Sequence, residues 1–131
     1  MIENFLESSK YAQELFEIDD EIVEKIECES LEDKVPIITR DVLNFMIYNA
    51  NNINAKNILE IGTATGYSGL FLARIANKNG GELTTIEIDE KRHKIAKENF
   101  EKLGLLDKSE MILGDALEVI PKLDQSKKYD F

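Results

Sequence analysis

At 131 residues, 43% hydrophobic and 32% charged, the chain suits one domain with a real core and is no disordered polyelectrolyte. Two prolines and seven glycines exclude a Pro/Gly-rich repeat, and the single cysteine, Cys28, excludes an internal disulfide or a cysteine-based metal cluster. The net charge of −10 is concentrated in residues 1–35, whose 12 acidic and 3 basic side chains are the opposite of the basic patch that DNA requires.

The N-terminus, MIENFLESSK, lacks the basic and apolar regions of a secretory leader, and no apolar run reaches the ~18 residues of a membrane helix. The chain therefore reads as soluble and cytoplasmic. Ile2, Phe5, Leu6, Ala12, Leu15 and Phe16 recur at helical spacing, and Tyr11 and Phe16 are expected in the core or a dimer contact. Asp19-Asp20 caps a second helix carrying Ile22, Val23 and Ile26 to about Leu31. Val35-Pro36 interrupts the pattern, because a residue before proline is pushed out of the α region. Thr39 then caps a third helix that ends in the polar stretch 49–52.

From Lys56 the texture changes to α/β. Asn57–Ile61 is a short apolar strand, followed by a helix over 67–76, a β-branched strand over 83–88, and a helix from Asp89 closed by Gly104. A third strand over 110–113, a turn at Gly114-Asp115 and a short helix over 116–120 follow, and Tyr129-Asp130-Phe131 opens a fourth strand. This alternation predicts a Rossmann-like parallel sheet over 53–131, with 1–52 as a helical N-terminal extension.

The first strand-to-helix turn, Glu60-Ile61-Gly62-Thr63-Ala64-Thr65-Gly66, lies where an open parallel sheet binds its ligand. Gly62 permits the sharp turn and a close ligand approach, and the amides near Tyr67 and Ser68 open the helix towards an electron-rich group. A dinucleotide fingerprint requires glycines where this chain has Ala64 and Tyr67, and the Gly-Lys-Ser/Thr phosphate loop is missing. A phosphate-free nucleoside with a cationic tail fits better. Glu87, 25 residues after Gly62 at the end of the second strand, can accept both ribose hydroxyls.

Ile58 to Ser68 resembles the first motif of the class I S-adenosylmethionine-dependent methyltransferases. Glu-Ile-Gly-Thr-Ala-x-Gly-Tyr-Ser is similar to the metal-dependent O-methyltransferases that include the catechol and caffeoyl-CoA enzymes. Thr85–Asp89 and Leu113–Ala116 fall at that family's second and third motifs. Val35–Ile38 resembles bacterial tRNA 5-hydroxyuridine methyltransferases, and the likeness covers roughly residues 20–131. The resemblance implies that Glu60, Gly62 and Ala64 line the methionine part of S-adenosylmethionine and that Ser68 bonds its carboxylate. Glu87 would hold the ribose, Asp115 and Ala116 would border the adenine, and Tyr67 would pack near the sulfonium. Ile37 and Ile38 would lie near the methyl-transfer region. The acceptor it implies is a hydroxyl of a small molecule or of a hydroxylated tRNA uridine.

In that family the fourth strand ends in an aspartate that ligates a divalent cation such as magnesium. The sequence stops at Phe131, short of it, so no catalytic or metal-binding residue is expected in this chain and little chemistry from it alone. One side of Ile58–Ile61 is expected to be unpaired, which predicts a swapped or tightly packed homodimer. The competing readings are a non-catalytic cofactor-binding or assembly module and, less well matched, a dinucleotide-dependent oxidoreductase. His93 is read as a solvated residue of a charged helix face, and Cys28 as unreactive among glutamates.

Overall fold

A computed structural model describes residues 2–131; Met1 and the side chain of Ile2, part of the first apolar stripe, lie outside the described residues. Three helices come first: α1 (Ile2–Glu14), α2 (Glu21–Glu32) and α3 (Arg40–Asn52). Asp20 starts α2 by accepting from the amides of Ile22 at 3.1 Å and Val23 at 3.3 Å. Thr39 sits at the N-cap of α3, but its hydroxyl donates to Asp41 at 2.5 Å, leaving the helix without the expected side-chain cap. Tyr11 on α1 is exposed, as are Phe5, Leu6 and Leu15, because α1 touches α3 along another face. Phe16 packs against the core, and Tyr11 does not.

The α/β part follows the expected order, with boundaries moved by one or two residues. It contains β1 (Asn57–Ile61), α4 (Tyr67–Lys78), β2 (Glu82–Glu87), α5 (Glu90–Lys102), β3 (Ser109–Leu113) and α6 (Ala116–Val119). The short last helix breaks into a 3₁₀ turn at Ile120–Lys122, where Pro121 lacks an amide hydrogen. The strands form a parallel sheet in the order β1-β2-β3, pairing Ile58 with Leu83 and Leu83 with Ser109. α5 ends in the expected left-handed glycine: Gly104 (φ +66°) donates to Glu101, and Leu105 to Phe100 at 2.8 Å.

Ile58 and Leu83 form one core with Leu70 and Ala73 of α4 and Phe100 of α5, extended outward by Val23, Ile26 and Leu43 from α2 and α3. The opposite face of the sheet is crossed by the chain after α6. Lys127 reaches Glu82 at 2.6 Å and Thr84 at 3.1 Å there. The crossing ends beside β1, where the Asp130 amide donates to Asn57 and Phe131 accepts from the Leu59 amide at 3.0 Å. Asp130 also accepts from the amides of Lys56 and Asn57 through its carboxylate. The segment 129–131 runs beside β1 without forming the expected fourth strand. It engages Asn57 and the Leu59 amide, and beyond that point β1 is the edge of the sheet, its Ile61 exposed, as expected of an unpaired side. Among the described residues no helix is long and apolar enough to cross a membrane.

Candidate cofactor cleft

The carboxyl ends of the three strands surround a cleft of ≈ 200 Å³ lined by Ile61, Gly62, Ile86, Glu87, Ile88, Gly114, Asp115 and Ala116. A side chain alternates inward and outward along the loop that forms its near wall. Thr63, Thr65 and Tyr67 are buried, while Gly62 is exposed and Ala64 is half-buried between them. Gly62 turns at φ +90° with open space where a Cβ would stand, and its amide donates to Ile86 at 2.8 Å. Gly66, at φ +89°, is glycine for two reasons, since a Cβ there would also meet the Phe100 ring at 2.9 Å.

Glu87 is the fixed charge of the cleft. One carboxylate oxygen accepts from the Ala64 amide at 2.7 Å and the other from the Asp89 amide at 2.9 Å. Each oxygen keeps a further lone pair for a ligand hydroxyl. Glu60 lies beneath the loop, where Ser68 donates to one oxygen at 2.7 Å and Thr85 to the other at 2.6 Å. With the Thr85 proton so used, Thr63 is the donor in its 2.6 Å contact with Thr85. Burial pushes the Glu60 carboxyl above the usual carboxylate range, with the nearby Glu87 charge acting the same way and the two hydroxyls opposing.

The other expected residues divide. Asp115 and Ala116 line the cleft, and Asp115 also caps α6 by accepting from Leu117 at 2.8 Å. Ser68 is spoken for by Glu60. Tyr67 points away from the cleft: its hydroxyl donates to Glu27 of α2 at 2.8 Å, and Arg40 of α3 grips the same carboxylate at 2.9 and 2.6 Å. That carboxylate is held low, first by Arg40, while burial and Glu27 push the Tyr67 phenol up. Ile37 and Ile38 are half-buried against the core and do not line the cleft.

His93 is half-buried, not fully solvated; its Nδ1 has no partner among the described residues, and burial and Lys97 push its pKa down. Cys28 is exposed, 3.8 Å from Glu32. Ile86 and Ile88, two wall residues not among the expected ones, follow from β2 ending between them, which is their only sequence signal; Ile61 of the expected turn lines the wall where β1 ends. Among the described residues no three His, Cys, Asp or Glu side chains gather as a metal would need.

A family model described as O-methyltransferase matches residues 7–131. A catechol O-methyltransferase of Niastella koreensis is 42% identical over 69 residues, which cover 53% of this chain and 31% of that enzyme. The O-methyltransferase TomG from Streptomyces achromogenes, solved with SAM, superposes with a TM-score of 0.80 at 28% identity over 95% of this chain and 57% of its own. An O-methyltransferase from Bacillus cereus, solved with SAH, gives 0.80 at 30% identity over 98% and 59%. The chain thus spans a little over half of these solved chains and a smaller share of the curated relative, and it has the Rossmann-like methyltransferase architecture. It belongs to the O-methyltransferase family.

Proposed function

We propose that the cleft binds S-adenosylmethionine and that the chain is the cofactor-binding part of an O-methyltransferase acting on a hydroxyl of a small molecule. The observation that carries this reading is Glu87, held by two backbone amides at the end of β2 and facing Gly62 and Asp115 across the cleft. In this reading Glu87 accepts the ribose hydroxyls and Asp115 the adenine amino group, with Ala116 beside the ring. The exposed backbone of Gly62 and Ala64 meets the methionine part, and Glu60 and Ser68 support the loop from below. The bound cofactor supplies a methyl carbon activated by its sulfonium leaving group. The Glu87 carboxylate adds negative charge near that cation, which favours its binding.

The expected divalent cation has no donor set among the described residues, so the reading assigns this chain no metal-dependent step. The acidic N-terminal region disfavours a polyanionic acceptor, which places a catechol-like small molecule ahead of a tRNA uridine. The exposed Phe5, Leu6, Tyr11 and Leu15 of the first helical region support a homodimer.

Calorimetric titration with S-adenosylmethionine, with NAD, and of Glu87→Ala tests the cofactor. Binding of the first alone, weakened about tenfold or more in the variant, is expected from losing charge-assisted hydrogen bonds. Binding of NAD, or an indifferent Glu87→Ala, overturns the reading.

A further inference from the structure

Thr65 of the cleft loop is anchored at both its side chain and its carbonyl, and its anchors come from outside the sheet. Ser30 of α2 donates to Ile26 in its own helix at 2.5 Å, so the 2.7 Å contact between Ser30 and Thr65 has the Thr65 hydroxyl as donor. From the other side, the Asn99 amide of α5 donates to the Thr65 carbonyl at 2.9 Å. All three side chains are buried, at 2%, 4% and 4% exposure. A cavity of ≈ 370 Å³ lies between α2 and α5 directly behind them, lined by Ile26, Ser30, Thr65, Ile95, Asn99 and Lys102. The two polar bonds therefore tie the loop to α2 and α5 at the floor of an open, largely polar groove.

The neighbours of Thr65 in the chain are the two left-handed residues Ala64, at φ +50°, and Gly66, at φ +89°. The Ala64 amide, the one that holds Glu87, shares its peptide plane with the Thr63 carbonyl, which accepts from the Gly66 amide at 2.9 Å across Thr65; holding Thr65 in place therefore helps hold that plane. We infer that Thr65 is a positioning residue for the cofactor, clamped by Ser30 and Asn99 so that α2 and α5 preset the loop before a ligand arrives. This rests on the cofactor reading above. α2 is then part of the binding machinery, acting through Thr65 without touching the ligand.

The test uses the whole chain with Thr65→Val, which keeps the shape and removes the hydroxyl, Thr65→Ser, which restores it, and Ser30→Ala. Amide exchange of residues 62–66 is read in the free protein, and S-adenosylhomocysteine affinity by calorimetry. Thr65→Val and Ser30→Ala are each expected to speed exchange across 62–66 about threefold to tenfold and to raise Kd by a similar factor. Thr65→Ser recovers both. Unchanged loop exchange in Thr65→Val, or a loss that Thr65→Ser does not recover, overturns the clamp. If the parent chain fails to bind S-adenosylhomocysteine, the cofactor reading falls, and loop exchange in the free variants still decides whether the clamp exists.

Discussion

The backbone amide of Ala64 donates to Glu87 across 2.7 Å while Ala64 itself occupies the left-handed region at φ +50°. A side-chain-bearing residue there costs about 1 kcal/mol or more, and the bond to a carboxylate offsets it. The loop therefore holds a conformation that glycine would adopt freely. Ala64→Gly is expected to keep or raise stability, by at most about 1 kcal/mol once the added freedom of the unfolded chain is counted. Ala64→Val, β-branched at positive φ, is expected to lower it by about 1–3 kcal/mol. Urea unfolding of the two variants checks the pair; equal behaviour would show that the loop relaxes away from this conformation.

Glu60 predicts a pH dependence. Its carboxyl is raised in the folded state, so the folded chain holds a proton that the unfolded chain releases at its ordinary value near 4.5. Stability from this group is complete below that value and is lost as pH rises through the higher folded one. Glu60→Gln should remove this component: relative to the parent, the variant gains stability as pH climbs from 4.5 towards neutrality. Denaturant midpoints measured at several pH values would show it, and a constant difference between the two proteins would contradict it.

Two ion pairs on the N-terminal helices differ in what surrounds them. Glu27 is only 13% exposed and holds both Arg40 and the Tyr67 hydroxyl, whereas Lys25 and Glu29 are 71% and 55% exposed at 3.7 Å. Removing Arg40 strands a mostly buried carboxylate, so Arg40→Met is expected to cost about 2 kcal/mol or more, moderated by the remaining solvent access. Tyr67→Phe should cost about 1–2 kcal/mol, because Glu27 keeps its arginine. Lys25→Ala should be close to neutral, at about 0–0.5 kcal/mol. Thermal unfolding ranks the three.

Adjacent glycines in the turn before β2 separate strain from collision. At Gly80, φ +80°, a Cβ would stand in open space, so Gly80→Ala should cost about 1 kcal/mol from backbone strain alone. At Gly81 a Cβ would come within 2.0 Å of the Lys56 carbonyl oxygen, which belongs to the backbone leading into β1. Gly81→Ala is expected to be the most damaging single substitution in the turn, visible as loss of soluble expression while Gly80→Ala folds.

The order of strands and helices was readable because each element announces itself locally: β-branched runs for β2, Asp89 and Gly104 bracketing α5. Gly62 and Glu87 were readable for a related reason, since strand ends in a parallel sheet must converge. The direction of Tyr67 was not. Its spacing after Gly66 places it at the helix opening, but its hydroxyl turns to Glu27, 40 residues earlier, and only the packing of α2 on α4 decides that. The pairing of the loop residue Thr65 with Ser30 was not legible for the same reason, the two being 35 residues apart and without pattern. Which of the two alternatives held for Tyr11, core or dimer contact, was not legible, because helical periodicity identifies an apolar face without saying what covers it; the structure leaves it outside the core.

The bonds from Asp130 to Asn57 span 73 residues, against 25 between Asn57 and its partner Glu82 in β2. Closing the longer loop carries the greater entropy cost and depends on the crossing segment already lying over Thr84. The two sides of β1 therefore meet their partners at different times: the β2 side early, the side facing 130–131 only once residue 131 has been made. In the interval β1 is a ready template for a foreign strand, so aggregation during synthesis, rather than instability once folded, is where this architecture is most vulnerable.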